Sequence, residues 1–211
     1  MANSSDPRCR QCRREGEKLF LKGEKCILHC TLDKEKRKKP PGQHGSNVIQ
    51  KKLTEYGVQL REKQKLRRIY RVLEGQFRNY LSEAERRKGV TGENLFQLLE
   101  MRLDNVVYRL GLGSSRAQAR QLVSHRFFTV NGRRVNIPSY QVKPGDEIGV
   151  HESKSQTEII REARQKSHKR SLPEWLSYDN STMTGKVMSP PTRDQVDTRV
   201  QEQLIVEFYS R

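Results

Sequence analysis

Of 211 residues, 33% are hydrophobic and 32% charged, with 42 Lys and Arg against 25 Asp and Glu, a formal net charge of +17. A pI near 10.0 is extreme for a freely diffusing enzyme and points to nucleic acid or an anionic membrane. No apolar run approaches the ~20 residues that cross a bilayer, and the N-terminus lacks the apolar stretch of a secretory signal, so a soluble, intracellular polyanion binder is expected.

The charge is uneven along the chain. Residues 1–93 hold 24 basic and 12 acidic residues, residues 102–143 eight and one, and residues 146–211 ten and eleven. The binding surface is therefore expected in the first two thirds, with the last third as scaffold. The length leaves room for one or two domains with a core.

All four cysteines come first, as Cys9-x2-Cys12 and Cys26-x3-Cys30. Two close pairs can gather four thiolates around one tetrahedral Zn²⁺, with Gly16 and Gly23 letting the loop between them fold back. Unrelated reduced thiols and two disulfides are the alternatives, and disulfides do not suit a chain with no export signal. An iron–sulfur cluster would suit the same ligands, and His29 could replace Cys30. Four protein ligands leave no open position for water, so a metal here would be structural. Arg8, Arg10, Arg13 and Arg14 surround the first pair, either touching phosphate or forming a solvated face.

Lys34 to Gly45, KEKRKKPPGQHG, cannot form a core, and Pro40-Pro41 with Gly42 and Gly45 forbids a regular helix. It reads as a flexible linker or as a basic arm that orders against RNA. His44 has no nucleophile or carboxylate nearby to recommend it for catalysis.

From Lys51 to Lys88 the period turns helical. Leu66, Tyr70, Leu73, Phe77 and Leu81 mark one buried stripe, flanked by Arg61, Lys63, Lys65, Arg67, Arg68 and Arg71. Tyr56, Tyr70, Phe77 and Tyr80 follow that period and are expected in the core. Gly75 is expected to separate two helices, and Gly89 and Gly92 to end the all-α region.

A second unit is expected from Glu93. Leu95, Leu98, Leu99, Leu103, Val106, Val107 and Leu110 trace an apolar face that stops at Gly111. Ser114 or Ser115 can cap the next helix, which carries Arg116 and Arg120 on one face and Ala119, Leu122 and Val123 on another. Phe127 to Val130 and Arg133 to Ile137 flank Asn131-Gly132, the pair favoured in type I′ hairpins. Lys143-Pro144-Gly145-Asp146 then turns the chain into Glu147 to Val150. Arginines on a rigid helix and hairpin have fixed geometry, and their planar forks suit phosphate.

Further on, Glu158 to Arg170 reads as helix, Trp175 beside Pro173 as a packing anchor, and Met183 to Met188 as a short hairpin around Gly185. Leu204-Ile205-Val206 and Phe208-Tyr209 are too apolar for a loose tail and are expected docked on the helical region. Thr192 to Val200 matches no pattern.

Ser115 to Ile148 resembles the small RNA-binding module named after ribosomal protein S-four, which recurs in pseudouridine synthases, some tRNA synthetases and a ribosome-associated heat-shock protein. The flanks PPGQHG, KLTEYGVQLREKQKLRRIYR, QFRNY, GENLFQLLEMRLDNVVYRLG and LIVEFYSR resemble the bacterial-type small-subunit ribosomal protein S-four family itself. The resemblance runs from the cysteine segment to Arg211. It implies an α+β fold: a metal knuckle and basic arm over residues 1–45, a helical domain over 46–92 with 190–211 docked back, and the RNA-binding module with its β scaffold over 93–189.

It also implies a non-enzymatic, primary rRNA-binding protein of the cytoplasmic ribosome, bacterial or organellar. Such a protein binds a multi-helix junction in the 5′ domain of small-subunit rRNA, joins assembly early and contacts neighbouring ribosomal proteins. It also affects accuracy near the mRNA entry region. The implied RNA contacts are Lys38, Lys39, Gln43 and His44 in the arm, and Arg61, Lys63, Arg67, Arg68 and Arg71 in the helical domain. Arg116, Arg120, Arg133, Arg134 and Lys143 are those of the module. The paired cysteines occur in only part of the family, so zinc on Cys9, Cys12, Cys26 and Cys30 rests on their spacing.

Three rivals share some of these features. A pseudouridine synthase would need a large catalytic domain and an activating Asp, and Arg102-Leu103-Asp104 reads instead as helix surface. A zinc-knuckle DNA-binding regulator would not account for the module, nor a stress-type ribosome factor for the long flanks.

Overall fold

The computed structural model describes residues 6–46, 53–167 and 172–210. The expected helix start at Lys51 and helix end at Arg170 lie outside these residues. The chain divides into two compact units, residues 1–92 with 198–211, and residues 93–197.

The first unit begins with α1 (Arg8–Glu15) and α2 (Glu24–Leu28), followed by short 3₁₀ turns through Ser46. Its body is α3 (Glu55–Tyr70) and α4 (Glu74–Arg86). Thr54 starts α3 by accepting a 3.2 Å hydrogen bond from the Gly57 amide, satisfying one of the unpaired donors of a helix N-terminus. The two helices part at Arg71, in the left-handed region at φ 56°, with Gly75 inside α4. The break thus precedes the expected glycine.

Leu66, Tyr70, Phe77 and Leu81 are buried as their period requires, whereas Leu73, the residue that begins α4 as its N-cap, is only partly buried. Tyr56 is not: it is half exposed, with its ring 5.4 Å from that of Phe208. Its place one residue into α3 puts it beyond the buried stripe.

The second unit is built around an antiparallel sheet. α5 (Thr91–Glu100) and α6 (Leu103–Arg109) divide what reads as one apolar helical face, because Arg102 leaves the helix to form a β-bridge with Gln141. α7 (Arg116–Ser124) follows, capped by Ser115, whose hydroxyl accepts from the Gln118 amide.

β1 (Phe128–Val130), β2 (Arg133–Arg134) and β3 (Glu147–Val150) come next. They are followed by α8 (Glu152–Ser155), α9 (Glu158–Ser167), β4 (Leu176–Asp179) and β5 (Thr184–Val187). The sheet order is β2-β1-β3-β5-β4. Asn131 and Gly132 turn the first hairpin with φ of 50° and 77°, the left-handed pair that a type I′ turn needs.

The second hairpin runs from β4 into β5 and turns at Asn180–Met183, not at Gly185. Asp179 accepts bonds there from the Ser181 amide and the Ser181 and Thr182 hydroxyls, which hold its carboxyl below the usual carboxylate range. Trp175, 1% exposed, packs in one core with Leu103, Val107, Leu122, Phe128 and Ile148. Arg193 stacks on Phe96, 4.6 Å from the ring centroid.

The chain closes in the first unit with α10 (Glu202–Tyr209). It lies against α3, with Phe77 and Tyr209 stacked at 6.2 Å. No helix among the described residues is long and apolar enough to cross a membrane.

Candidate nucleic-acid interface

A cation can meet phosphate only if the fold has not already neutralised it, so each basic side chain is judged by its exposure and its acidic partners. In the arm, Lys38, Lys39, Gln43 and His44 are all exposed. The backbone beneath them is held: the Arg13 guanidinium donates to the carbonyls of Lys39 at 3.0 Å and Pro40 at 3.3 Å. Arg13 therefore faces the arm, not an external phosphate.

The four cysteines are free thiols, three of them buried. All four line one cavity of about 20 Å³, together with Leu21, Lys22 and Leu32. The Lys22 amide donates to Cys26 Sγ at 3.2 Å. Burial pushes the Cys12 and Cys26 thiols up, against backbone hydrogen bonds that favour thiolate. Among the described residues, no three His, Cys, Asp or Glu side chains converge closely enough to hold a metal. The expected four-ligand knuckle is thus a cavity lined by thiols, not a formed ligand set. His29 lines the same cavity as Cys30, His29 being exposed and Cys30 buried.

On α3 the expected cations are largely engaged. Arg61 and Arg68 both bridge Glu15, whose side chain is 1% exposed. Burial pushes the Glu15 carboxyl up in spite of both guanidiniums. Arg67 and Lys63 bridge Glu74 at 3.1 and 2.9 Å.

Lys63 is also 4.6 Å from the Phe208 ring centroid and is itself buried. It belongs to the packing of α10 on α3 and is corrected from contact to core. Burial would raise Glu74, but the Tyr209 hydroxyl and the Lys63 and Arg67 cations hold its carboxyl below the usual range. Arg61, Arg67 and Arg68 keep about a fifth to a quarter of their side chains exposed. Arg71, at the α3 C-cap, is partly exposed as well.

The second unit holds a denser network. Asp104 accepts two bonds from Arg102, at 3.1 and 2.9 Å, and one from Arg120 at 3.0 Å. All three residues are buried. Arg120 is therefore corrected from RNA contact to structural partner, and Arg102 and Asp104 from helix surface to core.

Beside them, fully buried Glu100 accepts from Arg109 at 3.0 and 2.7 Å and from Asn105 at 2.6 Å. Asn105 Oδ1 accepts from Arg116 Nε at 2.8 Å, and the Arg116 guanidinium lies 4.6 Å from the Tyr108 ring centroid. Arg116 keeps 13% of its side chain exposed.

Arg133, Arg134 and Lys143 are exposed, and the structure gathers Arg133 and Lys143 at one end of the sheet. Asn131 Nδ2 donates to Asp146 at 2.8 Å, and Asp146 also accepts from the Lys143 amide at 2.8 Å. The Glu147 amide donates to Asn131 Oδ1 at 2.9 Å. The hairpin tip and the Lys143–Asp146 turn are thereby fastened together. Arg134 Nη2 reaches Ser153 Oγ at 3.2 Å.

Arg126 and Lys186 are exposed too and escaped the sequence reading. Arg126 takes the left-handed turn after α7 at φ 60°, a position with no composition signal. Lys186 sits opposite Glu147 on β5, in a stretch whose net charge drew no attention.

Two families and many relatives match the chain. Residues 3–100 match the family described as ribosomal protein S4/S9 N-terminal domain, and residues 101–148 match the S4 domain. Over its full length the chain is 57% identical to the small ribosomal subunit protein uS4 of Desulforamulus reducens and 56% to that of Pelotomaculum thermopropionicum. It is 55% identical to that of Nitrosospira multiformis. Each alignment spans all of both chains.

Proposed function

The chain belongs to the small ribosomal subunit protein uS4 family, and on that footing we propose that it is a structural, non-enzymatic constituent of the small subunit. Its partners are small-subunit rRNA and neighbouring ribosomal proteins, in the bacterial cytoplasm. Within that role it binds a helix junction in the 5′ domain of the rRNA, nucleates assembly of the body and contributes to accuracy near the mRNA entry region.

The observation that carries the RNA reading is the end of the sheet where Arg133 and Lys143 stand exposed on a hairpin and turn bonded to each other. Phosphate contacts from such a rigid frame supply affinity, and selectivity follows from matching the shape of a folded RNA. The exposed arm residues Lys38, Lys39, Gln43 and His44 extend the contact set. Arg61, Arg67, Arg68, Arg71 and Arg116 contribute the edges they leave exposed. Asp104 is bound by two guanidiniums in the core, which weighs against its serving as the activating aspartate of a pseudouridine synthase.

We infer from the chemistry of its lining that the cysteine cavity could close around one structural metal ion, although the thiols do not converge as they stand. Its volume suits a single ion or water, its lining supplies four sulfur donors and no carboxylate, and backbone amides point at Cys12 and Cys26. Cys9, Cys12, Cys26 and Cys30 would hold Zn²⁺, or alternatively an iron–sulfur cluster, after losing their protons and drawing closer. The metal would supply folding free energy to the N-terminal segment. Metal analysis of the reduced protein decides this: neither zinc nor iron at a stoichiometric level overturns it.

Binding to the isolated 5′ domain of small-subunit rRNA tests the main reading, against an unrelated structured RNA of equal length across a salt series. Selective binding that persists at moderate salt is expected. Equal affinity for both RNAs, collapsing together with salt, overturns it.

A further inference from the structure

We propose that Arg13 is a positioning residue that holds the basic arm in a preformed shape for phosphate, acting through the Pro40 carbonyl. The inference rests on the reading that the arm binds rRNA.

Lys39, Pro40 and Pro41 form a stretch in which two successive residues have no N–H, so the loop cannot organise itself by backbone bonding alone. Its carbonyls instead find one side chain. Arg13 Nε donates to Lys39 O at 3.0 Å and Nη2 to Pro40 O at 3.3 Å. Two neighbouring acceptors matched by one planar fork is a geometry that arginine offers and lysine does not.

Gly45 also lies against the same carbonyl. A β-carbon there would lie 1.9 Å from Pro40 O and 2.7 Å from its carbon, so any side chain must displace backbone. Gly45 is buried, and its amide donates to Gly42 O at 3.1 Å. The Pro40 carbonyl is thus contacted both by a guanidinium and by a position that only glycine can occupy. Lys38, Lys39, Gln43 and His44 stand exposed around it. A loop fixed in this way loses little freedom on binding, which favours affinity without adding a contact.

Arg13 is itself well anchored. It lies on α1 between Cys12 and Glu15, and Glu15 bridges Arg61 and Arg68 of α3. The helix that carries the first cysteine pair therefore also sets the arm.

The test uses the full chain and two variants that leave net charge unchanged, Arg13→Lys and Gly45→Ala. They disturb the same carbonyl through two different neighbours. Hydrogen exchange over residues 34–46 reads the clamp in the free protein, and affinity for the isolated 5′ domain reads its consequence. Both variants are expected to exchange faster at the Lys38 and Gly45 amides, with exchange over residues 95–125 unchanged. Both should bind RNA about tenfold more weakly, the equivalent of ordering one further backbone residue on binding.

Exchange matching wild type in both variants overturns the clamp. Faster exchange with unaltered affinity overturns the positioning role, because the arm then adds nothing to binding. Failure of the underlying reading looks different: wild type itself would not tell the 5′ domain from an unrelated RNA.

Discussion

Asp104 accepts hydrogen bonds from two guanidiniums in the core of the second unit, and the charge balance there makes its replacement costly. Arg102 is fully buried and Arg120 nearly so. Asp104→Asn would remove the buried carboxylate to which both desolvated guanidiniums donate. The expected cost is about 3–5 kcal/mol, read as a lowered urea midpoint for the second unit; a loss under about 1 kcal/mol would place the pair in solvent.

Glu74 gives a pH signature of definite sign. Its folded pKa lies below the ordinary 4.5, so folding favours the ionised form. That contribution is complete above 4.5 and is lost as pH falls through the lowered folded value. The stability difference between wild type and Glu74→Gln should therefore be largest near neutral pH and shrink in acid, as followed by thermal unfolding. A difference that stays constant with pH would contradict the assignment. Glu15 acts in the opposite direction: its raised pKa means its contribution declines as pH rises from 4.5 through the folded value.

Among the secondary-structure elements, β5 shows how a glycine can be noticed in the sequence for the wrong reason. Gly185 reads as the centre of a turn, yet it lies mid-strand, paired with Tyr178 on one side and Ile148 on the other. Its real constraint is Leu110 just past α6, whose side-chain atoms would lie 2.5, 2.6 and 3.1 Å from a β-carbon there. Because Leu110 is itself buried, Gly185→Ala is expected to cost about 1–3 kcal/mol through overpacking. An unchanged melting temperature would mean that Leu110 moves aside freely. The α5–α6 break escaped the sequence reading for a related reason. The apolar period continues through Met101 and Arg102, and the bridge to Gln141 that interrupts it lies some forty residues downstream.

For the molecule as a whole, a net charge of +17 overstates what is free to meet a polyanion. Lys63, Arg102 and Arg120 are buried against carboxylates, Arg61 and Arg68 are partly buried against Glu15, and Arg67 is bridged to Glu74. Arg133, Arg134 and Lys143 are exposed. Replacing these three with alanine should flatten the salt dependence of rRNA binding by about 0.7–0.9 per lost contact. Arg120→Ala should lower stability and leave the slope as it was. If Arg120→Ala changed the slope as much as the triple variant, Arg120 would be a phosphate contact after all.

Local chemistry by itself determined the polyanion-binding class, the cap at Ser115, the left-handed Asn131-Gly132 turn, most of the buried stripe of α3 and α4 and the need of the apolar C-terminus for a packing partner. Each depends on residue type and short spacing alone. Only the tertiary structure decided which cations remain exposed. The carboxylates that neutralise them arrive from distant positions: Glu15 meets Arg68 across 53 residues, and Asp104 meets Arg120 across 16. A charge count shows that a basic residue is present, whereas its availability depends on burial and on which carboxylate the fold brings beside it.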